Sequence, residues 1–125
     1  MKNKVSIWLG KFDNEVIFKR FTEIKYTDDG DSIPSQFEEQ LELGYYDRDL
    51  VEMKFLKNGT SDLYELLEGF SYFESFEIVN KEVGKIYNSV ILIYDYDRDI
   101  NEMKYDITID YLGQFDYEKK IDDRW

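Results

Sequence analysis

Ser89-Val90-Ile91-Leu92-Ile93-Tyr94-Asp95-Tyr96 is the stretch on which the fold turns. Four branched aliphatic residues stand in a row, too few for a helix and with no polar position for a wet face. Such a run predicts a central strand covered on both sides. Residues 103–112 carry the opposite signature. Tyr105, Ile107, Ile109 and Tyr111 alternate with Lys104, Asp106, Thr108 and Asp110, as in a strand with one apolar and one mostly acidic face. With a turn over residues 97–101, the two runs predict a C-terminal antiparallel hairpin.

Outward from there, residues 5–9 (Val-Ser-Ile-Trp-Leu) predict a buried strand ended by Gly10, with Trp8 in the core. Asp13 is a candidate cap for a helix over residues 14–24 that turns Ile17, Phe21 and Ile24 inward. Ser32 is a candidate cap for a second helix reaching Leu43. Pro34 falls in its first turn, Phe37, Leu41 and Ile33 are buried, and Gly44 is the stop. Residues 50–55 predict a strand and residues 57–60 a turn. Ser61 then caps a short helix burying Leu63, Leu66 and Leu67, and residues 70–83 predict a helix burying Phe73, Phe76 and Val79. The order predicts an α+β fold forming a single small domain over residues 1–125. Its mixed sheet has about four strands, helices pack mainly on one face, and a β-hairpin ends the chain.

Composition narrows the function. The 125 residues hold 28 Asp and Glu against 16 Lys and Arg, a net charge of −12, with a pI near 4.4. A phosphate backbone or an anionic membrane surface is repelled by that balance. There is no Cys and no His, which removes thiolate and imidazole catalysis and the usual zinc and iron–sulfur ligands. Only carboxylates, Lys, Tyr and Ser remain for an enzyme, and no glycine pattern fits a phosphate loop. The expectation is a non-enzymatic protein without cofactor. No secretory signal opens the sequence, and no apolar run nears the roughly 18–20 residues of a membrane span, so a cytoplasmic location is expected.

Asp95-x-Asp97-x-Asp99 starts like a calcium loop. Ile100 then stands at the sixth position in place of the turn glycine, and Asp106 at the twelfth in place of the bidentate Glu. The segment reads as a solvated acidic loop, and no metal site is expected. More telling is the pairing of acids with tyrosines. Tyr45-Tyr46-Asp47-Arg48-Asp49 precedes the second predicted strand, and Tyr94-Asp95-Tyr96-Asp97-Arg98-Asp99 follows the third. From Asp95 to Glu118 eight acids meet two bases, half of the net charge. Carboxylates steer and pair with basic groups, while tyrosine supplies contact area with an anchoring hydroxyl. The candidate partner-binding residues are therefore Tyr45, Tyr46, Asp47 and Asp49; Asp95, Asp97 and Asp99; and the acids of the Thr27–Asp31 turn, Asp28, Asp29 and Asp31.

Five segments, in order, resemble one family. Val5-Ser6-Ile7-Trp8-Leu9-Gly10-Lys11-Phe12 resembles the opening strand and turn of the Immunity protein 22 family. Ile33-Pro34-Ser35-Gln36-Phe37 and Tyr45-Tyr46-Asp47-Arg48-Asp49-Leu50 resemble its middle segments. Phe70-Ser71-Tyr72 and Ser89-Val90-Ile91-Leu92-Ile93-Tyr94-Asp95-Tyr96 resemble its later ones. The resemblance spans most of residues 4–97. It implies a bacterial immunity protein of a polymorphic toxin system, protecting the producing cell by binding a cognate toxin domain, and it brings no catalytic residues. A toxin that attacks nucleic acid tends to be basic, and an acidic inhibitor could cover its groove. An acidic adaptor binding some other basic protein, as a nucleic-acid mimic, is the alternative.

Overall fold

In the computed structural model, which describes residues 3–41, 46–76, 82–96 and 109–118, β5 (Glu82–Tyr94) lies inside a four-stranded sheet. Its neighbours are β4 (Val51–Asp62) on one side and β1 (Asn3–Gly10) on the other, and β6 (Ile109–Tyr117) flanks β1. All three pairings are antiparallel. The period-two geometry of β1 and β5 divides their apolar side chains between two faces. Val5, Ile7 and Leu9 join Val90, Leu92 and Tyr94 under α3 (Leu63–Leu67). Trp8, Ile91 and Ile93 join Phe18 and Phe21 of α1 (Glu15–Thr22) and Phe37 of α2 (Gln36–Leu41).

The α+β class and the four strands are as expected. The mixed sheet is not, because no pair is parallel. Nor do the helices keep mainly to one face: α1 and α2 cover one side and α3 the other. The residues themselves demand it. With apolar groups at successive positions of β1 and β5, a single helical layer would leave one of those sets in water.

The C-terminal hairpin is also corrected. β6 pairs with β1, so β1 lies between it and β5. The expected strand over residues 103–112 falls mostly outside the described residues; its last part, from Ile109, is the start of β6. Ile7 pairs with Gly113 and Trp8 with Tyr111, which leaves Leu112 as an extra residue. This bulge changes the side-chain parity. Ile109 and Tyr111 pack on the α1/α2 face, while Phe115 and Tyr117, still odd-numbered, pack on the α3 face.

Local signals explain the other differences. Asn14, one residue beyond Asp13, caps α1 by accepting the Ile17 N–H at 3.0 Å. Phe18 and Phe21 are the buried pair, and Ile17 is exposed. Ser35 rather than Ser32 starts α2: its Oγ accepts the Glu38 N–H at 3.1 Å, and Glu38 Oε1 accepts the Ser35 N–H at 2.9 Å. That reciprocal capping box satisfies two donors where a lone Ser32 could satisfy one. Ile33, held extended by the following proline, is exposed and forms β3 (Ser32–Ile33) against β2 (Lys25–Tyr26). The expected turn at residues 57–60 is absorbed into β4 as an irregularity, since Phe55 pairs with Ser89 and Thr60 with Tyr87; Gly59 supplies the positive φ of 66°. Asp62 caps α3, not Ser61. Lys54 Nζ lies 2.9 Å from the Glu65 carbonyl and 2.8 Å from that of Glu68, placing a cation at the negative end of that helix.

The helix expected over residues 70–83 does not form in its described part. Tyr72 takes a left-handed conformation, only a 3-10 turn follows at Phe73–Ser75, and Phe76 is extended. Val83 already lies in β5, and Val79 lies outside the described residues.

Candidate functional site

The register of the sheet gathers two separated parts of the sequence at one end. Val51 pairs with Ile93, Val5 with Tyr94, and Asn3 with Tyr117. Asp49, just before β4, and Asp95, just after β5, are both exposed there. Different chemistry occupies the two faces of that end.

On the α2 side, Glu38 is the hub. It is only 8% exposed. Its Oε2 accepts the Tyr46 hydroxyl at 2.5 Å and Arg48 Nε at 3.0 Å, and Oε1 accepts Arg48 Nη2 at 3.2 Å. Burial pushes the Glu38 carboxyl up, but hydrogen bonds from Tyr46, Arg48 and the Ser35 N–H outweigh it and hold the group below its usual range. The Tyr46 phenol moves the other way, raised by burial and then by the Glu38 carboxylate. Tyr46 also packs edge-on against Tyr96, with centroids 6.2 Å apart. Asp47 Oδ1 accepts the Asp49 N–H at 2.9 Å, capping the 3-10 turn at Arg48–Leu50. This bracing fixes the direction in which the chain delivers Asp49.

On the α3 side is a cleft of about 360 Å³ lined by Asp49, Leu50, Glu52, Ser71, Tyr72, Tyr94 and Tyr117. The three tyrosine rings touch one another: Tyr72 to Tyr94 at 5.6 Å, Tyr72 to Tyr117 at 5.3 Å, and Tyr94 to Tyr117 at 5.2 Å. The Tyr94 hydroxyl lies 2.6 Å from Glu52 Oε1 and 2.8 Å from the Ser71 carbonyl. Glu52 Oε1 also accepts the Ser71 N–H at 3.0 Å. The Tyr117 hydroxyl donates to Asp95 Oδ1 at 2.7 Å. Burial first, and the adjoining carboxylate second, push both phenols well above their ordinary value. They stay protonated donors at neutral pH. Asp95 itself is left-handed, with φ 58°, and its N–H bonds the Lys4 carbonyl at 2.8 Å. That turn sends Tyr94 to one face and Tyr96 to the other.

The bases described at this end are engaged. Lys4 Nζ pairs with Asp116 Oδ1 and Arg48 with Glu38. Exposed beside these ion pairs, among the described residues, are Asp47, Asp49, Asp95 and Tyr72.

Residues 5–118 match the family described as Immunity protein 22. The chain belongs to that family. Its role is accordingly an immunity one, the neutralisation of a toxin, in a family that is generally non-enzymatic. The matched range takes in β4, β5 and β6 entire and β1 from Val5 onward. No curated protein and no solved structure matches the chain. Among the described residues, no helix is long and apolar enough to cross a membrane.

Of the residues singled out from this immunity protein's sequence, Tyr46, Asp47, Asp49 and Asp95 meet at the sheet end. Tyr45, Asp97 and Asp99 lie outside the described residues. Asp28, Asp29 and Asp31 are exposed on the β2–β3 turn, closed by Thr27 N–H to the Asp31 carbonyl at 2.8 Å and Asp31 N–H to Thr27 Oγ1 at 3.1 Å. Among the described residues nothing joins that turn to the sheet end. Sequence reasoning missed Glu52, Tyr72 and Tyr117 as members of the site. One signal was available for Glu52: the weak alternation of residues 50–55 puts this acid on the same face as Leu50.

Proposed function

We propose that this immunity protein neutralises a basic toxin domain by covering its active site or substrate groove with the acidic, tyrosine-bearing end of the sheet. The observation that carries the reading is that Asp49 and Asp95 are both exposed at one end of the sheet, with the exposed Tyr72 lining the same cleft as Asp49, where the described bases are already paired. Tyr46, Asp47, Asp49 and Asp95 supply the described contacts. Tyr45, Asp97 and Asp99 are proposed as further contacts from sequence, and the Asp28, Asp29 and Asp31 turn adds long-range steering. A nuclease is the toxin class that this charge suits best, because its nucleic-acid groove is itself basic. The site acts inside the producing cell and needs no cofactor.

The test is a tagged pull-down from the native cells at low salt, eluted with rising salt and read by mass spectrometry. Recovery of one basic toxin-like domain, encoded beside this gene, is the expected result. Recovery of a housekeeping basic protein encoded elsewhere would replace this reading with that of an acidic adaptor.

A further inference from the structure

We propose that the cleft bounded by Asp49, Glu52 and the exposed ring of Tyr72 is a receptor for the guanidinium group of an arginine side chain presented by the toxin. The identity of the arginine's owner rests on the function proposed above; the chemistry of the cleft does not.

Four observations converge. Tyr72, an exposed aromatic residue, lines the cleft with Tyr94 and Tyr117 packed behind it, and a cation is attracted to the negative face of a ring. Glu52 is held in place, because Oε1 accepts both the Ser71 N–H and the Tyr94 hydroxyl, and its Oε2 has no hydrogen-bond partner among the described residues. The Asp49 carboxylate and the Tyr72 hydroxyl line the same space and accept or donate no hydrogen bond among the described residues. Finally, Tyr72 holds a left-handed backbone, φ 61°, that a bulky residue rarely adopts, and Ser75 Oγ, accepting the Glu118 N–H at 2.8 Å, anchors the turn that keeps it there. The cleft is thus preformed rather than assembled on binding.

These properties select the occupant. An anion meets two carboxylates. An apolar side chain would strip water from Asp49 and Glu52 and give nothing back. A cation satisfies them, and arginine fits better than lysine, because its planar, weakly hydrated group can lie on a ring while its edge donates to a carboxylate. The described bases at this end do not compete, Arg48 being held by Glu38 and Lys4 by Asp116.

The test uses the full chain, isotopically labelled, titrated with N-acetyl-arginine amide and followed by the tyrosine ring resonances in NMR. N-acetyl-citrulline amide, equal in shape and uncharged, is the comparison. Saturable shifts with arginine alone are expected, largest at Tyr72 and smaller at Tyr94 and Tyr117 behind it. Glu52→Gln, which keeps an acceptor for Ser71 and Tyr94, should weaken binding about fivefold or more. Asp49→Asn, whose side chain makes no internal bond, should weaken it independently. The triple change Asp28→Asn, Asp29→Asn, Asp31→Asn should leave it unchanged although it removes more charge. Equal shifts with citrulline, no saturation, or a loop variant as damaging as E52Q would overturn the proposal. Because no toxin enters this titration, a toxin that failed to bind would sink the proposed function alone. A toxin bound undiminished by both E52Q and Asp49→Asn would instead remove the cleft from the interface.

Discussion

The molecule holds two aromatic clusters of similar ring geometry and different surroundings. On the α1/α2 face, Trp8 meets Phe37 edge-on at 5.3 Å, and Phe12 contacts Phe18 and Phe21 at 5.3 and 5.2 Å. At the sheet end of the α3 face, Tyr72, Tyr94 and Tyr117 meet at nearly the same separations. The first cluster is shut: Trp8 is wholly buried, and Phe18, Phe21 and Phe37 are each 3% exposed. In the second, Tyr94 and Tyr117 are buried as deeply, but Tyr72 is 38% exposed at the edge of a cleft, and two of the hydroxyls end on carboxylates. The difference is one oxygen atom per ring. Phenylalanine closes a core because it asks for nothing but contact, whereas tyrosine fixes a carboxylate at the surface while its ring still packs. Both clusters belong to the buried core, and the second also borders a charged, partly open surface.

The sharpest way to break that contrast is Trp8→Ala. It should cost about 3–5 kcal/mol, by lost burial plus the cavity left behind, measured by urea denaturation. A loss below about 1 kcal/mol would show that the shut cluster is not the core. Tyr94→Phe should come next, at about 1–3 kcal/mol, since it removes the donor to a carboxylate already fixed by Ser71. Tyr117→Phe should cost less than Tyr94→Phe, because its partner Asp95 is exposed to water; the reverse order would contradict the assignment. Ser35→Ala, removing one half of the α2 capping box, should cost about 1 kcal/mol.

The pH dependence separates the clusters further. An unfolded tyrosine ionises near 10. Tyr94 and Tyr117 are raised above that in the fold, and Tyr87, whose hydroxyl donates to Asp110 at the other end of the sheet, is pushed up to about 12 by burial and then by that carboxylate. Above pH 10 the unfolded chain loses these protons first, so stability is fully present below 10 and falls as pH rises beyond it. Combining Tyr94→Phe with Tyr117→Phe should flatten the fall, while substitutions among the phenylalanines should not. Glu38 behaves oppositely. Its carboxyl is held below the usual range, so its contribution is present above the unfolded carboxylate value and is lost as pH drops through the folded one. Glu38→Gln should reduce the acid sensitivity measured between about pH 5 and 2.

Much of this was legible in the sequence where a residue's neighbours in space are its neighbours in the chain. The run Val90–Ile93 announced a strand buried on both sides, and Leu63, Leu66 and Leu67 announced the buried face of a short helix. The bulge at Leu112 was not legible, because it depends on which strand β6 joins, and its partner β1 lies over a hundred positions away. The same holds for Glu52 and Tyr117. Each belongs to the cleft through a partner on a different strand; Tyr117 carries no local mark, and Glu52 only the weak alternation that sets it on the face of Leu50. Tyr72 was hidden for another reason: a left-handed tyrosine contradicts its own propensity, and helical spacing of Phe73 and Phe76 pointed the other way. The acidic turn at residues 28–31 illustrates the converse. Its composition matched that of the other clusters, yet it stands on a separate hairpin.

The measurement that bears most directly on the account is the association rate with the captured toxin domain, by stopped flow at rising ionic strength. It should be compared for the parent chain, the double variant Asp49→Asn, Glu52→Gln, and the loop triple variant. The parent rate should fall steeply with salt. The sheet-end variant should associate more slowly and dissociate faster, while the loop variant should lose some on-rate only. A salt-independent rate, or a sheet-end variant indistinguishable from the parent while the loop variant fails to bind, would contradict it.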